Sequence, residues 1–470
     1  MWPSGPPGRA PRFVYDSTVS ERRASNGAGD PTDARPVRER AVRSWARRID
    51  VLEQARLLQH GARHLLIGAV IGAIAGCGSA AFLHLLSWAT DTRMHHGSLV
   101  WMLPLAGVVV GLIYHFVGGE SGRGTNLVLD ELHDEEHVVP VRMAPLVLLG
   151  AMLTHLFGGS GGREGAAVQI AAALSSPLRR WLPDGERRVA LVAAVAGGFG
   201  SVFGVPVAGA VFALEVQESG RSRYDGIVAA LAASVVGDRV TRSLGIRHLL
   251  PKPFAAINIT FGNGLRIVAA SIAFGFAAMI FIELTHEIRG LLTRFISFPP
   301  ARLGIGGVGV LGLMLAAHSR IYLGLSLPLI DAAVAGVAIA GGAFALKLVF
   351  TAVTIGSGFP GGEVTPLFCI GACLGSVLAG PLGLPRATLA ALGYVAVYAA
   401  ASNTPIACAL LAVEVFGAAV VVPAAIACAV ANQVSGQRSV YGRQRVTPHL
   451  SGARHVGATM EETDRIRRDR

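Results

Sequence analysis

Apolar positions in this chain come as long continuous runs. They do not follow the two-residue alternation of a half-buried strand or the one-sided stripe of a surface helix. Residues 65–84, 99–114, 189–214, 267–282 and 387–413 carry few ionisable side chains or none. About 20 apolar residues cross a bilayer as a helix, so the pattern predicts several membrane-spanning helices. Glycine or proline interrupts many of the runs. A helix broken at membrane depth is tolerated where it is buried in protein or lines a cavity.

The pattern also repeats. Pro206 opens Pro-Val-Ala-Gly-Ala-Val-Phe-Ala-Leu-Glu-Val, and Pro405 opens Pro-Ile-Ala-Cys-Ala-Leu-Leu-Ala-Val-Glu-Val, with six of eleven positions identical at an offset of 199. The same offset links Glu164 to Glu363, each beside a Gly-Gly pair and each leading into an apolar run. Two matches at one offset indicate duplication. Transporters are commonly built from such repeats, with the substrate site at the midplane where they meet. Whether the halves are parallel or inverted depends on an odd or even number of spans, which hydropathy does not count through broken helices.

Composition agrees. Of 470 residues, 52% are hydrophobic and 15% charged, against about 25% charged in a soluble domain. Mean hydropathy is +0.52. The net charge of +11 raises nucleic-acid binding as a reading. However, twelve arginines precede residue 65 and the tail from 437 to 470 is basic too. Positive segments mark the cytoplasmic side, so both termini are expected in the cytoplasm and no nucleic acid is implied. Four segments follow: an Arg-rich, partly disordered segment (1–64), a first transmembrane repeat (65–250), a second (251–436) and a short tail (437–470). An Arg-rich polar stretch ahead of the first apolar run does not read as a signal peptide. Five cysteines lie in apolar runs. Cys369 and Cys373, four apart, admit a metal or redox reading, but small packing residues are the simpler account.

Three glycine-rich stretches carry candidate chemistry. In the first, 158–165, Gly-Gly-Ser-Gly-Gly-Arg-Glu-Gly runs straight into a small-residue helix. A helix N-terminus offers unpaired N–H donors and partial positive charge, so it binds anions. Glu164 sits where such an anion would sit, with Arg163 and Gly165 beside it. Ionised, it competes with the anion; protonated, it vacates the site. That coupling is a physical basis for exchanging an anion against a proton, and an ionisable residue inside a membrane is functional by default. The alternative is an ordinary helix cap paired with Arg163. The second stretch ends Gly-Gly-Glu-Val-Thr-Pro, where the N–H groups of Glu363 and Val364 could face the ion. In the third, Gly-Arg-Gly-Thr-Asn-Leu, Thr125 and Asn126 offer a hydroxyl and an amide. The acidic run 130–137 admits a metal reading, against a solvated loop. Tyr441 follows the last apolar run and alone reads as an interfacial tyrosine.

Together these motifs resemble the CLC family of anion channels and anion/proton antiporters, over roughly residues 65–445. Gly162-Arg163-Glu164-Gly165 is similar to its gating-glutamate motif, and Gly362–Pro366 to its second anion-binding motif. Thr125 lies at the position of the family's loop serine, and Tyr441 at that of its central tyrosine. The resemblance implies an all-α membrane protein of two inverted repeats whose broken helices meet at a midplane anion site. It also implies a homodimer, cytoplasmic termini and Glu164 as the external gate. Several positions depart from the chloride-handling pattern. Ala166 replaces the usual proline, Gly-Thr-Asn-Leu replaces Gly-Ser-Gly-Ile-Pro, and Glu363 and Val364 replace apolar residues. Val216 stands where proton-coupled chloride members often carry an internal glutamate. These departures resemble the bacterial fluoride-transporting branch.

The sequence therefore reads as a fluoride/proton antiporter of the cytoplasmic membrane, with no cofactor. Its partners are fluoride or chloride, protons and the lipid bilayer. Glu164 carries the proton, Glu363 is a candidate coupling residue, and Thr125, Asn126, Arg163, Gly165, Val364 and Tyr441 surround the anion. A chloride/proton antiporter or passive chloride channel is the nearest rival. An intramembrane hydrolase, with Ser160 near His155, is the rival from another class; a transporter of this kind is not expected to be an enzyme.

Overall fold

The computed structural model describes residues 51–133, 137–219, 224–248, 258–446 and 459–462, and these are almost entirely helical. The first eight helices are α1 (Val51–His95), α2 (Leu103–Ile113), α3 (Thr125–His133), α4 (Met143–Leu156), α5 (Glu164–Arg179), α6 (Asp184–Phe203), α7 (Pro206–Glu215) and α8 (Ile227–Ser243). The next eight are α9 (Phe261–Phe295), α10 (Pro299–Ala316), α11 (Leu327–Val334), α12 (Ala343–Gly356), α13 (Val364–Leu382), α14 (Arg386–Ser402), α15 (Pro405–Phe416) and α16 (Val421–Ser435). Two-residue strands β1 (Glu218–Ser219) and β2 (Arg445–Val446) pair in parallel. The second set repeats the first in order and relative length. Each begins with its longest helix, and α4 and α12 have 14 residues each.

Residues 51–64, grouped by charge with the N-terminal segment, form the opening turns of α1. Leu, Glu, Gln, Ala and Arg dominate there, and all favour helix. Residues 1–50, where disorder is expected, lie outside the described residues, as does the boundary placed at 250. Among the described residues, six helical segments are long and apolar enough to cross a membrane. Helices α4, α7, α12 and α15 are apolar but only 10–14 residues long. At 1.5 Å per residue even the longest of these falls short of a hydrocarbon core about 30 Å thick, so these helices begin or end within it.

The two longest apolar runs are broken at corresponding places. The run 189–214 divides at Gly204 (φ 74°) before Pro206, and the run 387–413 at Asn403 (φ 55°) before Pro405. A left-handed residue ends a helix, and proline at the first position starts one. The repeated proline segments are thus helix starts.

Side chains at these starts decide the relative sense of the halves. Glu215 ends α7, and its carboxylate accepts from the N–H groups of Ile406 (3.1 Å) and Ala407 (2.8 Å) at the start of α15. Glu414, near the end of α15, accepts from Val207 (3.0 Å) and Ala208 (2.7 Å) at the start of α7. Each helix caps the other's N-terminus from its own C-terminal end. Only antiparallel helices can do this, so the repeats are inverted. Packing within each half relies on small residues that let backbones approach. Gly371 of α13 and Gly393 of α14, for example, leave no room for a Cβ between them. Many large apolar side chains, including Phe276, Ile280 and Val308, are exposed on the outside, where lipid is the solvent.

One face of the membrane domain gathers Arg63, the start of α6 and the strand pair. Arg63, early in α1, pairs with Glu186 at the start of α6 (2.9 Å). Next to it Arg188 donates to the Gln217 side chain (2.7 Å), and Gln217 leads into β1 beside β2.

The reciprocal caps make a prediction. Hydrogen bonds to a charged group contribute about 1.5–3 kcal/mol. Glu215 is 5% exposed and Glu414 only half-buried. Glu215→Ala should therefore destabilise the purified protein by about 2 kcal/mol, and Glu414→Ala by less. Thermal unfolding in detergent would check this; unchanged midpoints for both variants would mean the caps are ornamental.

Candidate ion site

The glycine-rich stretches bring two helix N-termini together at the centre of the fold. Gly162 and Gly362 form an antiparallel bridge, each N–H donating to the other's carbonyl (2.5 and 2.9 Å). A Cβ on Gly162 would lie 2.8 Å from the Gly362 carbonyl, and one on Gly362 would lie 2.9 Å from the Gly165 nitrogen. Only glycine allows this approach. Helices α5 and α13 start directly after it, so their unpaired N–H groups and dipoles share one region.

Glu164, the first residue of α5, is fully buried in that region. Its carboxylate reaches across the bridge to the other half. Oε1 accepts from the Thr365 hydroxyl (2.5 Å) and from Arg163 Nε (3.2 Å). Oε2 accepts from the backbone N–H groups of Thr365 (3.0 Å) and Arg163 (3.2 Å). Four donors from two repeats thus converge on one anionic group.

Two cavities lead to it. A narrow one, of about 10 Å³, is lined by Thr125, Glu164, Gly165, Val216, Val364 and Tyr441, with Phe199 and Phe212 on its wall. The phenyl rings stack at 4.2 Å. A wide vestibule of about 690 Å³ opens beyond, lined by Thr125, Asn126, Glu363, Tyr441 and four arginines, Arg123, Arg289, Arg302 and Arg443. Thr125 and Tyr441 line both, so they form the neck between them.

The neck is polar and braced. Thr125 Oγ1 accepts from Gln169 Nε2 (3.0 Å), which leaves the hydroxyl proton for another acceptor. The Asn126 side-chain oxygen accepts from the Arg443 N–H (3.3 Å). The Tyr441 hydroxyl lies 3.2 Å from that of Tyr398 and is a hydrogen-bond partner of the Glu363 carboxylate. That carboxylate also takes its own backbone N–H and faces Arg289 of α9. The N–H of Glu363 is therefore turned to its own side chain. The donor that faces Glu164 is Thr365, one residue beyond Val364. Gly165 lies beside Thr125 and Glu363, a Cβ there lying 3.7 Å from Thr125 Oγ1 and 3.9 Å from Glu363 Oε2.

Below the bridge, buried Lys347 of α12 holds the first glycine loop. Its ammonium donates to Ser160 Oγ (2.9 Å) and to the carbonyls of Gly324 (2.7 Å) and Tyr322 (3.2 Å). Ser160 also lies 2.9 Å from the Thr351 hydroxyl. Both ring nitrogens of His155 meet carbonyls, of Ala151 and Gly161. Ser160 and His155 therefore do not form a nucleophile–base pair. In the acidic run, Asp130 is paired with Arg123 and Glu131 with Arg179; residues 134–136 lie outside the described residues.

The sequence model described as voltage gated chloride channel matches residues 106–436. A chloride/fluoride channel protein of Pseudomonas syringae pv. tomato is 41% identical over 402 residues, 84% of this chain and 89% of that protein. The chain belongs to the CLC family. A solved structure described as a CLC-type fluoride/proton antiporter matches with a TM-score of 0.80 and 34% identity, covering 82% of this chain and 98% of its own. That of a slow cyanobacterial Cl⁻/H⁺ antiporter matches at 0.70 with 17% identity, a likeness of fold. This CLC chain is thus a multi-pass membrane anion transporter with the inverted-repeat fold.

The structure brings together both glutamates and the neck residues named from the sequence of this CLC protein, along with Thr365, Gln169, Tyr398 and Lys347, which sequence reasoning passed over. Thr365 sits inside the quoted motif, at the second helical position, where a free N–H and a hydroxyl coincide; that position was the available signal. Lys347 was available as a lone charge in an apolar stretch.

If the Glu164 carboxylate occupies an anion site, removing it frees the donors. In Glu164→Ala, added anion should raise the unfolding midpoint more than in the parent protein, since a ligand at ten times Kd stabilises by about 1.4 kcal/mol. An identical anion dependence in both proteins would show that the donors serve the glutamate alone.

Proposed function

We propose that the protein is a fluoride/proton antiporter, which uses the inward proton gradient to expel fluoride across the cytoplasmic membrane. The observation that carries this reading is the four-donor seat of Glu164. While ionised, Glu164 fills the seat and closes the narrow path. An anion arriving through the neck competes for the same donors, and protonation releases the carboxylate from them. One group thereby couples proton movement to anion movement.

Fluoride as the anion rests on three supports. The narrow cavity is at the limit for a single water, which needs about 10–15 Å³, so it suits a small dehydrated ion. A small ion carries a large desolvation cost that only strong, converging donors offset, and the Thr125, Thr365 and Tyr441 hydroxyls with backbone N–H groups supply them. Fluoride also appears in the descriptions of two relatives at 41% and 34% identity.

The proton path is assigned to Glu164 and Glu363. The apolar Val216, Phe199 and Phe212 on the narrow cavity offer no titratable relay. Glu363, bonded to Tyr441 at the vestibule, is placed to exchange protons with water. The four arginines concentrate anions in the vestibule. That vestibule and both chain ends are assigned to the cytoplasmic side by the positive-inside rule, and the functional unit is assigned as a homodimer. The role is transport, not catalysis.

A chloride/proton antiporter or chloride channel on the same scaffold is the second reading, favoured by the anion named alongside fluoride in the relative's description and by the description of the matching sequence model. Liposomes loaded with equal fluoride and chloride decide between them. Fluoride efflux with stoichiometric proton uptake is expected, with chloride at least tenfold slower. Glu164→Gln should reduce proton coupling to background. Chloride efflux as fast as fluoride would move the protein to the second reading, and intact coupling in Glu164→Gln would remove Glu164 from the proton path.

A further inference from the structure

A separate cavity of about 130 Å³ opens where α5 turns into α6 beside the end of α3. One water needs roughly 10–15 Å³ on this measure, so an oxyanion fits with water around it. Arg179, Arg180, Arg187 and Arg188 line the cavity against one carboxylate, Glu131. The nearby acids are committed. Glu131 accepts from the Val139 N–H (2.7 Å) and from Arg179 Nη2 (3.3 Å). Asp184 holds Arg187 (2.9 Å) and Glu186 holds Arg63 (2.9 Å). The lining stays net cationic.

Two buried groups make this more than a cluster of surface charge. Arg179 is 2% exposed, and its Nε and Nη1 have no acceptor. Ser176 is 1% exposed, and its hydroxyl has none either. Three residues apart on one helix, they share a face. Buried donors left without partners cost free energy that a ligand would recover. Beside the cavity Trp181 is 84% exposed, as aromatic side chains at a membrane–water boundary are. No residue of this cavity lines the ion path.

We propose that the cavity binds a phosphate group, presented by an anionic phospholipid headgroup or as a soluble phosphate. Arg179 Nε and Nη1 and Ser176 Oγ are the inner donors, and Arg180 and Arg187 the outer ones. The planar guanidinium matches phosphate oxygens two at a time. Basic pockets between membrane helices on the cytoplasmic side hold anionic headgroups.

Full-length protein, purified and stripped of lipid, would be titrated with phosphatidylglycerol, phosphatidylcholine and inorganic phosphate, and bound ligand counted by native mass spectrometry. Arg179→Gln would leave Glu131 without its cation and endanger folding. The test therefore uses Arg180→Gln with Ser176→Ala, which keeps that pair. Phosphatidylglycerol retained over phosphatidylcholine, not displaced by phosphate and weakened at least tenfold in the variant, assigns a lipid headgroup. Phosphate binding that the variant loses, with no lipid preference, assigns a soluble phosphate. Equal binding by parent and variant, or no binding by the parent, overturns the proposal.

Discussion

The antiparallel contact between Gly162 and Gly362 is the constraint on which the rest of the structure depends. It forces two helix N-termini to face one small region, and so adds their partial positive charge to that of Arg163 there. A carboxylate is the one side chain of this stretch that such a region holds well, and Glu164 supplies it. The residues around the bridge serve the same end. Lys347 fixes the approaching loop, Thr365 adds a hydroxyl to a bare N–H, and the neck residues decide what reaches the donors from the vestibule.

The halves are alike in backbone but differ in chemistry. Glu164 turns across the bridge onto the donors of the opposite half. Glu363, its counterpart at the same offset, turns toward Tyr441 and the vestibule. A perfectly symmetric pair would place two carboxylates in one small region, where like charges repel. Directing them to opposite sides of the neck gives each its own partners. It also leaves one glutamate sealed from water and the other next to it, a division suited to passing a proton along the chain Glu164, Glu363 and solvent.

Much of this was legible in the sequence because acidic residues are rare inside apolar runs, while prolines and Gly-Gly pairs mark where those runs break. The duplication, the helix starts at Pro206 and Pro405, and the glutamates at 164 and 363 all follow from that contrast. The helix break at Asn403 was less visible than the one at Gly204, since asparagine also adopts the left-handed conformation but carries no such expectation. Gln169 could not be placed because its partner, Thr125, lies far away in the chain. The sense of the repeats was open from hydropathy, since helices that stop inside the bilayer defeat any count of spans. It took the caps at Glu215 and Glu414 to decide it.

Those caps have a consequence for how the protein is made. The start of α7 waits for Glu414, some 200 residues further along the chain, and Glu215 waits for the start of α15. At about 5–20 residues per second of synthesis, the first half spends roughly 10–40 s in the bilayer with an unpartnered acid at one end of a short helix and bare amides at the other. During that interval it depends on lipid headgroups, water or the insertion machinery for company. A ribosome stall between residues 216 and 405 would therefore leave a membrane-embedded intermediate whose least protected point is the place where the finished halves lock together.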